Sequence, residues 1–95
     1  MHVISRKALR IFWEKHPDSR NALLRWFKIM RNTQFKNLGE LRAAFPAADK
    51  VDEWIVFNIS GNKYRLITSI HFNRHKVYIR HVLTHREYDQ EGWKQ

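Results

Sequence analysis

The sequence predicts an α+β fold in which two N-terminal helices pack on a small antiparallel sheet. Three observations lead to this prediction. Apolar residues recur with helical spacing in the first half of the chain, the period changes to two from residue 54 onward, and turn signals separate the alternating stretches. The length of 95 residues predicts a single domain over residues 1–95 with a modest core.

The N-terminal half begins with a short edge strand predicted over residues 1–5. An amphipathic helix follows over residues 6–15, with Ser5 as its N-cap, and Pro17 stops it. A second amphipathic helix is predicted over roughly residues 18–31. Apolar and basic residues alternate along both helices with the period of an α-helix, so each is expected to bury one face and expose the other.

The middle of the chain is expected to be less regular. Asn37–Phe45 predicts one or two helical turns, and Ala47–Glu53 predicts a polar loop. Trp13, Trp26 and Phe27 form an aromatic stripe at helical spacing, and such a stripe is more often core than a ligand site. We therefore assign these three rings to packing.

The C-terminal half predicts three strands joined by two hairpins. The strands are expected over Trp54–Ser60, Lys63–Phe72 and His75–Leu83. Gly61-Asn62 is a two-residue hairpin signal, and Asn73-Arg74 is a second turn candidate. The segment after the third strand is expected to form a polar tail.

The turns determine which residues face each other across the strands. A loop at residues 61–62 places Asn58 opposite Arg65. A loop of two or four residues around position 74 places Thr68 opposite Ile79 and, further along, Arg65 opposite Val82. This register sorts the strand residues between two faces, because successive side chains of a strand point to opposite sides.

One predicted face is apolar and is expected to pack on the helices, whereas the other mixes cations, aromatic rings and hydrogen-bonding groups without a carboxylate. The apolar face comprises Ile55, Phe57, Ile59, Tyr64, Leu66, Thr68, Ile70, Phe72, Val77, Ile79, His81 and Leu83. The cationic face comprises Trp54, Val56, Asn58, Lys63, Arg65, Ile67, Ser69, His71, Lys76, Tyr78, Arg80 and Val82. Because carboxylates repel phosphate, their absence favours an RNA-binding face.

The overall charge of the chain also favours binding to nucleic acid. Eighteen Lys and Arg residues against nine Asp and Glu residues give a net charge of +9, which favours nucleic acid as partner over an acidic protein or a membrane surface. The absence of cysteine excludes disulfides and cysteine-based zinc sites, and it fits a cytoplasmic protein. No apolar run is long enough to span a membrane, and the histidine pairs lack the partners of a metal site. We predict no metal and no cofactor.

Three segments of the chain carry a family pattern: residues 1–9, residues 56–67 and residues 78–89. The most specific combination is Gly-Asn-x-x-Arg at residues 61–65 with Thr-His-x-Glu-Tyr-Asp at residues 84–89. Together these segments resemble the HigB toxins of bacterial type II toxin–antitoxin systems, within the RelE-like group. The resemblance covers nearly the whole chain.

The resemblance implies a RelE-like, microbial RNase-type fold and a ribosome-dependent endoribonuclease (an mRNA interferase) that cuts translated mRNA. It also implies a HigA-type antitoxin with a helix-turn-helix domain. Metal-free RNA cleavage uses the 2′-hydroxyl of the substrate as nucleophile, and it needs a base, a cation on the phosphate and an acid at the leaving oxygen. The proposed catalytic residues are Arg65 for the phosphate, with His85 and Tyr88 for proton transfer.

Seven further residues are predicted to bind the substrate. They are cations and aromatic residues of the sheet face, or they follow the last strand: Lys63, His71, Lys76, Tyr78, Arg80, Arg86 and Asp89. Asp89 is also placed to orient His85. Two alternatives remain open at this stage, a non-catalytic toxin of the same fold that poisons gyrase, as in the ParE group, and a non-enzymatic RNA-binding module.

Overall fold

The computed structural model describes residues 1–94 and contains a five-stranded sheet with the order β1-β5-β4-β3-β2. Its strands are β1 (His2–Ile4), β2 (Asp49–Val51), β3 (Trp54–Ile59), β4 (Tyr64–His71) and β5 (Lys76–Thr84). β1 runs parallel to β5, and the other neighbours are antiparallel. The predicted edge strand is thus present, but the sheet is mixed and not purely antiparallel.

The helices are α1 (Arg6–Lys15), α2 (Arg20–Asn32), α3 (Leu38–Ala44) and α4 (His85–Asp89). Single 3₁₀ turns lie at Pro17–Ser19, Phe72–Arg74 and Gly92–Lys94. The predictions for the first three helices are confirmed. Two elements were missed, because β2 lies within the predicted polar loop and α4 within the predicted tail. No helix of residues 1–94 combines the length and apolar character needed to cross a membrane.

The main core lies between the helices and one face of the sheet. Leu9 of α1 and Leu23 of α2 are fully buried against Leu66 and Phe57 of the sheet, and the Trp26 ring meets Phe57 edge to face. Burying apolar area of this kind is the main favourable term in folding. The predicted α+β architecture, with two N-terminal helices packed on the sheet, is confirmed.

The register of the sheet agrees with the prediction up to a β-bulge. Asn58 pairs with Arg65 and Thr68 pairs with Ile79, as expected, because the second loop contains four residues and preserves the pairing. A shift then occurs between residues 67 and 68, so that Arg65 pairs with Leu83 and not with Val82. The predicted pairing was therefore wrong beyond this point, since a bulge inserts one extra residue into one strand.

The bulge reverses the faces of three predicted residues. Val82 packs against the main core, whereas Leu83 packs in a second apolar cluster on the other face. His81 was assigned to the apolar face, but its ring lies 6.5 Å from Trp93 of that second cluster. The extra residue at the bulge shifts the alternation by one position, which turn signals in the sequence do not reveal.

Candidate active site on the second face of the sheet

The C-terminal segment partly covers the face that was predicted to be open and cationic. Trp93 is buried there against Val56 and Ile67, and Trp54 and Leu83 pack around them. The Trp93 ring stacks on Tyr88 at 5.2 Å with an angle of 14° between the rings. Its indole N–H donates a hydrogen bond to the Tyr88 carbonyl oxygen at 3.0 Å. Trp93 thus holds α4 against the sheet.

The C-terminal segment, packed on the sheet through Trp93, separates the predicted site residues into two groups. The Arg65 end comprises Arg65, His85, Arg86, Tyr88 and Asp89, where α4 meets the start of β4. The Arg80 end comprises His71, Lys76, Tyr78 and Arg80, where β4 gives way to β5. Arg80 bonds Ser69, and the four residues from Arg65 to Ser69 along β4 correspond to about 13 Å. The predicted site residues therefore do not form one continuous patch.

Arg65 lies on the predicted face, but its side chain is largely buried instead of exposed. One terminal nitrogen, Nη1, donates to the carbonyl oxygens of Asn62 and Tyr64, both at 3.1 Å. The other, Nη2, donates to Asn62 Oδ1 at 3.4 Å. The guanidinium carbon lies 5.5 Å from the centre of the Tyr88 ring, and no carboxylate of residues 1–94 pairs with Arg65. The positive charge is thus held by neutral oxygens and is not neutralised by a carboxylate of residues 1–94.

The α4 helix forms because of a capping box that the sequence contains. The Thr84 hydroxyl accepts from the backbone N–H of Glu87 at 3.2 Å, and the Glu87 carboxylate accepts from the backbone N–H of Thr84 at 2.9 Å. The backbone N–H of His85 donates to the Lys63 carbonyl oxygen at 2.9 Å. This bond ties the first residue of α4 to the turn between β3 and β4, beside Arg65.

His85 and Asp89 form a pair on the exposed side of α4. The distance between His85 Nδ1 and Asp89 Oδ2 is 2.8 Å, and about half of each side chain is exposed. The four-residue spacing puts both side chains on the same side of a helix. With Nδ1 bound to the carboxylate, Nε2 faces away from this contact and makes no hydrogen bond to residues 1–94.

The remaining residues of the Arg65 end differ in their surroundings. Tyr88 is half-buried between its contacts with Arg65 and Trp93, and its hydroxyl makes no hydrogen bond to residues 1–94. Arg86 is exposed on α4. The structure therefore brings Arg65 and Tyr88 into contact, and it adds His85 and Asp89 through the short helix that carries Tyr88.

The Arg80 end is an open groove of about 450 Å³ between the turn before β3 and the ends of β4 and β5. Arg80 Nε donates to Ser69 Oγ at 3.0 Å, and the guanidinium lies 5.0 Å from the Tyr78 ring. The ring of His71 meets Tyr78 edge to face at 5.4 Å. The strands carry no carboxylate here, as predicted, but Glu53 of the turn after β2 borders the groove.

Lys63 takes a different position from the one predicted. It lies in the four-residue turn between β3 and β4, and its ammonium nitrogen contacts Asp18 Oδ2 at 3.1 Å. The Tyr64 hydroxyl donates to the other oxygen of the same carboxylate at 2.6 Å. The bond from Tyr64, with that from Lys63, holds the pKa of Asp18 below its usual value, and the same contact raises the pKa of Tyr64. The prediction that Lys63 lies on the cationic face of the second strand was wrong, because Lys63 lies in the turn and Asp18 attracts its ammonium group towards the helices.

Three residues that shape this site were not predicted as part of it. Asn62 was assigned only to the turn, yet it supplies two of the oxygens that hold Arg65. Trp93 was placed in a polar end, and Asp18 was not connected with the sheet. The capping-box pattern of residues 84–87 was the available signal for α4. Within residues 1–94, no three metal-ligating side chains of His, Asp or Glu come together.

Comparison with known proteins identifies the family. The model of the HigB_toxin family, described as the RelE-like toxic component of a toxin–antitoxin system, matches residues 19–91. The chain is 38% identical over 92 residues to the mRNA interferase toxin HigB of Escherichia coli K12, covering 94% of this chain and 88% of that protein. The mRNA interferase HigB of Shigella flexneri gives the same values.

A more distant relative extends the comparison. The mRNA interferase HigB of Escherichia coli O6:H1 is 31% identical over 93 residues, which cover 95% of this chain and 90% of that protein. The match therefore includes both helices, the sheet and α4. The chain belongs to the HigB toxin family, the RelE-like toxic components of toxin–antitoxin systems.

Proposed function

We propose that this protein is an mRNA interferase, an endoribonuclease that cleaves translated mRNA on the ribosome. Its relatives are named as mRNA interferases, and membership in a toxin–antitoxin family implies an antitoxin partner. We further propose a HigA-type antitoxin with a helix-turn-helix domain, a cytoplasmic location, and one RelE-like domain over residues 1–95. The reaction is proposed to need no cofactor.

The observation that carries the proposal is the environment of Arg65. Its guanidinium is largely buried, is held by neutral oxygens, and has no carboxylate partner within residues 1–94. A buried cation of this kind is costly unless an anion compensates it. A phosphate diester of RNA is such an anion, and a planar guanidinium can hold two of its oxygens at once.

The neighbouring groups fit a metal-free cleavage. The 2′-hydroxyl of the substrate loses its proton to a base and its oxygen bonds to phosphorus, while the bond to the 5′ oxygen breaks and that oxygen takes a proton from an acid. His85 and Tyr88 share these two transfers, and Asp89 holds His85 through the 2.8 Å contact with Nδ1. The products are a 2′,3′-cyclic phosphate and a free 5′-hydroxyl. Each such group contributes about 10²–10⁴-fold.

The remaining predicted residues are assigned to holding RNA. Arg86 extends the cationic surface of α4, and the Arg80 end offers an exposed cation beside aromatic rings. Rings can stack on unpaired bases, and cations supply salt-sensitive affinity for the backbone. Lys63 stays in this set as a weaker candidate, because Asp18 already compensates its charge.

Primer extension on translated mRNA tests the proposal. Expression of the wild-type chain should create new 5′ ends within translated regions, and Arg65→Met should abolish them while circular dichroism shows an intact fold. Arg10→Met is the matched control, since Arg10 lies exposed on α1 and, within residues 1–94, pairs only with Glu14. New ends that persist with a folded Arg65→Met variant would remove Arg65 from the mechanism. Gyrase inhibition without new 5′ ends would favour the ParE-like alternative, and RNA binding without cleavage the non-enzymatic module.

A further inference from the structure

One edge of the sheet is only partly covered by a neighbouring strand. β2 pairs with β3 at residues 54–56 alone, so that Phe57–Ile59 have a strand partner only on the β4 side. The chain turns away from β3 at Ala48, whose carbonyl oxygen accepts instead from Arg42 Nε at 3.1 Å. An open strand edge presents unpaired N–H and C=O groups and is a template for an added strand.

This open edge lies in a groove that continues on both sides of it. One hollow of about 310 Å³ lies between α2 and the end of β3, and a second of about 220 Å³ lies beside α3. Phe45 and Asn58 line both hollows. The walls are formed largely by small and apolar residues, including Ala22 and Trp26, so the groove can receive the side chains of a bound strand.

The charge of the groove indicates the kind of partner. Arg25 is the one charged residue among those that line the two hollows, it is exposed, and it forms no ion pair within residues 1–94. An occupant with a carboxylate would complement this exposed charge.

We propose that this edge of β3 is the docking site of an extended, acidic segment of the antitoxin. The segment adds a strand beside Phe57–Ile59 and places a carboxylate on Arg25. The proposal rests on the antitoxin partner that the family implies and not on the nuclease reaction. The site is distinct from the Arg65 end, because Arg25 and Phe45 belong to the helical layer and the cleavage residues to the second face of the sheet.

Charge reversal on α2 tests the proposal in the complex of this chain with its cognate antitoxin. Arg25→Glu should raise the dissociation constant of the complex about tenfold or more. Added salt should reduce the difference in dissociation constant between this variant and the wild type. Lys28→Glu is the matched control, because Lys28 is exposed on the same helix but does not line the groove. Its affinity should stay within about twofold of wild type, as for most surface charges.

Hydrogen exchange supplies a second measurement that needs no substitution. The backbone N–H of Asn58 should exchange more slowly in the complex than in the free toxin, because alternation along β3 directs this amide to the open edge and those of Phe57 and Ile59 to β4. Equal weakening by the two variants, or no protection of this edge, would overturn the proposal. So would protection by single-stranded RNA in place of the antitoxin. Because Arg25 lies outside the cleavage residues, Arg25→Glu should retain wild-type mRNA cleavage, and a toxin without any cleavage would count against the nuclease and not against this docking site.

Discussion

The two ends of the same sheet face contain similar residue types in different physical settings. At the Arg65 end the cation is largely buried, and α4 brings Tyr88 into contact with it and carries the exposed pair of His85 and Asp89. At the Arg80 end the cation is exposed, contacts an aromatic ring and shares a groove with Glu53. Burial strengthens electrostatic interactions, whereas solvent screens them. This difference is the basis of our proposal that the Arg65 end performs the chemistry and the Arg80 end holds RNA.

The largest expected effect is that of Arg65→Met. Removing the charge that faces the phosphate should lower kcat by about 10²–10³-fold or more, in the range seen when a preorganised donor is removed. Arg65→Lys should restore part of this loss, since it keeps the charge but not the planar fork. Single-turnover cleavage of a model mRNA measures both variants. Equal activity of Arg65→Met and the wild type would show that Arg65 does not take part in the reaction.

His85→Ala should have the next largest effect. It should lower kcat by about 10²-fold, because one of the two proton transfers loses its side chain. Asp89→Asn should have a smaller effect and should shift the pH dependence of cleavage, since the carboxylate contacts His85 Nδ1 at 2.8 Å. The pH–rate profile of the three proteins measures this. An unchanged profile in Asp89→Asn would show that the contact does not affect the reaction. Gln90→Ala, at the exposed C-terminal end of the same helix, is the control for damage to α4.

Trp93→Ala tests whether the packing of Trp93 on Tyr88 keeps α4 folded against the sheet. Loss of a buried tryptophan costs about 3 kcal/mol, and here we expect the loss to be concentrated at α4, because Trp93 stacks on Tyr88 of this helix and packs on the sheet. Thermal unfolding and hydrogen exchange of residues 85–89 measure it, together with cleavage. Trp93→Phe is the matched variant, since it keeps an aromatic ring but loses the bond to the Tyr88 carbonyl and part of the buried volume. Unchanged exchange in Trp93→Ala would refute the anchoring role.

Arg80→Met should have a smaller effect, and one of another kind. Because Arg80 is assigned to binding, KM should rise by up to about tenfold while kcat stays near wild type. The slope of the logarithm of RNA affinity against the logarithm of salt concentration should also become shallower by about one unit, as expected when one phosphate contact is removed. Measurements of KM and affinity at several salt concentrations check this. A fall in kcat without a change in KM would contradict the division between the two ends.

The smallest effect is expected from Asp18→Asn, and it depends on pH. The pKa of Asp18 is lowered in the folded state, chiefly by the Tyr64 hydroxyl and then by Lys63, so its contribution is present above the unfolded pKa of about 3.9 and is lost as the pH falls through the folded value. The pKa of Tyr64 is raised, so its contribution is present below about 10 and is lost as the pH rises through the folded value.

Thermal unfolding between pH 2 and 11 measures this window. Wild type should lose stability more steeply than Asp18→Asn at both limits. Asp49→Asn is the matched control, because Asp49 forms an exposed pair with Arg42 at 3.8 Å and has no tyrosine partner. Parallel curves for wild type and Asp18→Asn would show that the contact between the turn and the helical layer does not contribute to stability.

Much of the fold could be predicted because local patterns determine it. The period of the apolar residues indicated α1 and α2, and turn residues gave the correct pairing of Asn58 with Arg65. The family and its implied endoribonuclease class were also predicted, from the motifs at residues 61–65 and 84–89, and the relatives agree. The roles of individual site residues stay predictions, which the experiments above address.

The sequence by itself determined the fold class, the family, the excess of positive charge and the residue types near the site, because these follow from composition, periodicity and motifs. Only the tertiary structure decided where the charges lie. A bulge places His81 on the second face of the sheet. Lys63 pairs with Asp18 on the helical side of the molecule. Trp93 packs on the second face of the sheet, between the Arg65 end and the Arg80 end. Each depends on contacts between residues far apart in the chain, which local patterns do not encode.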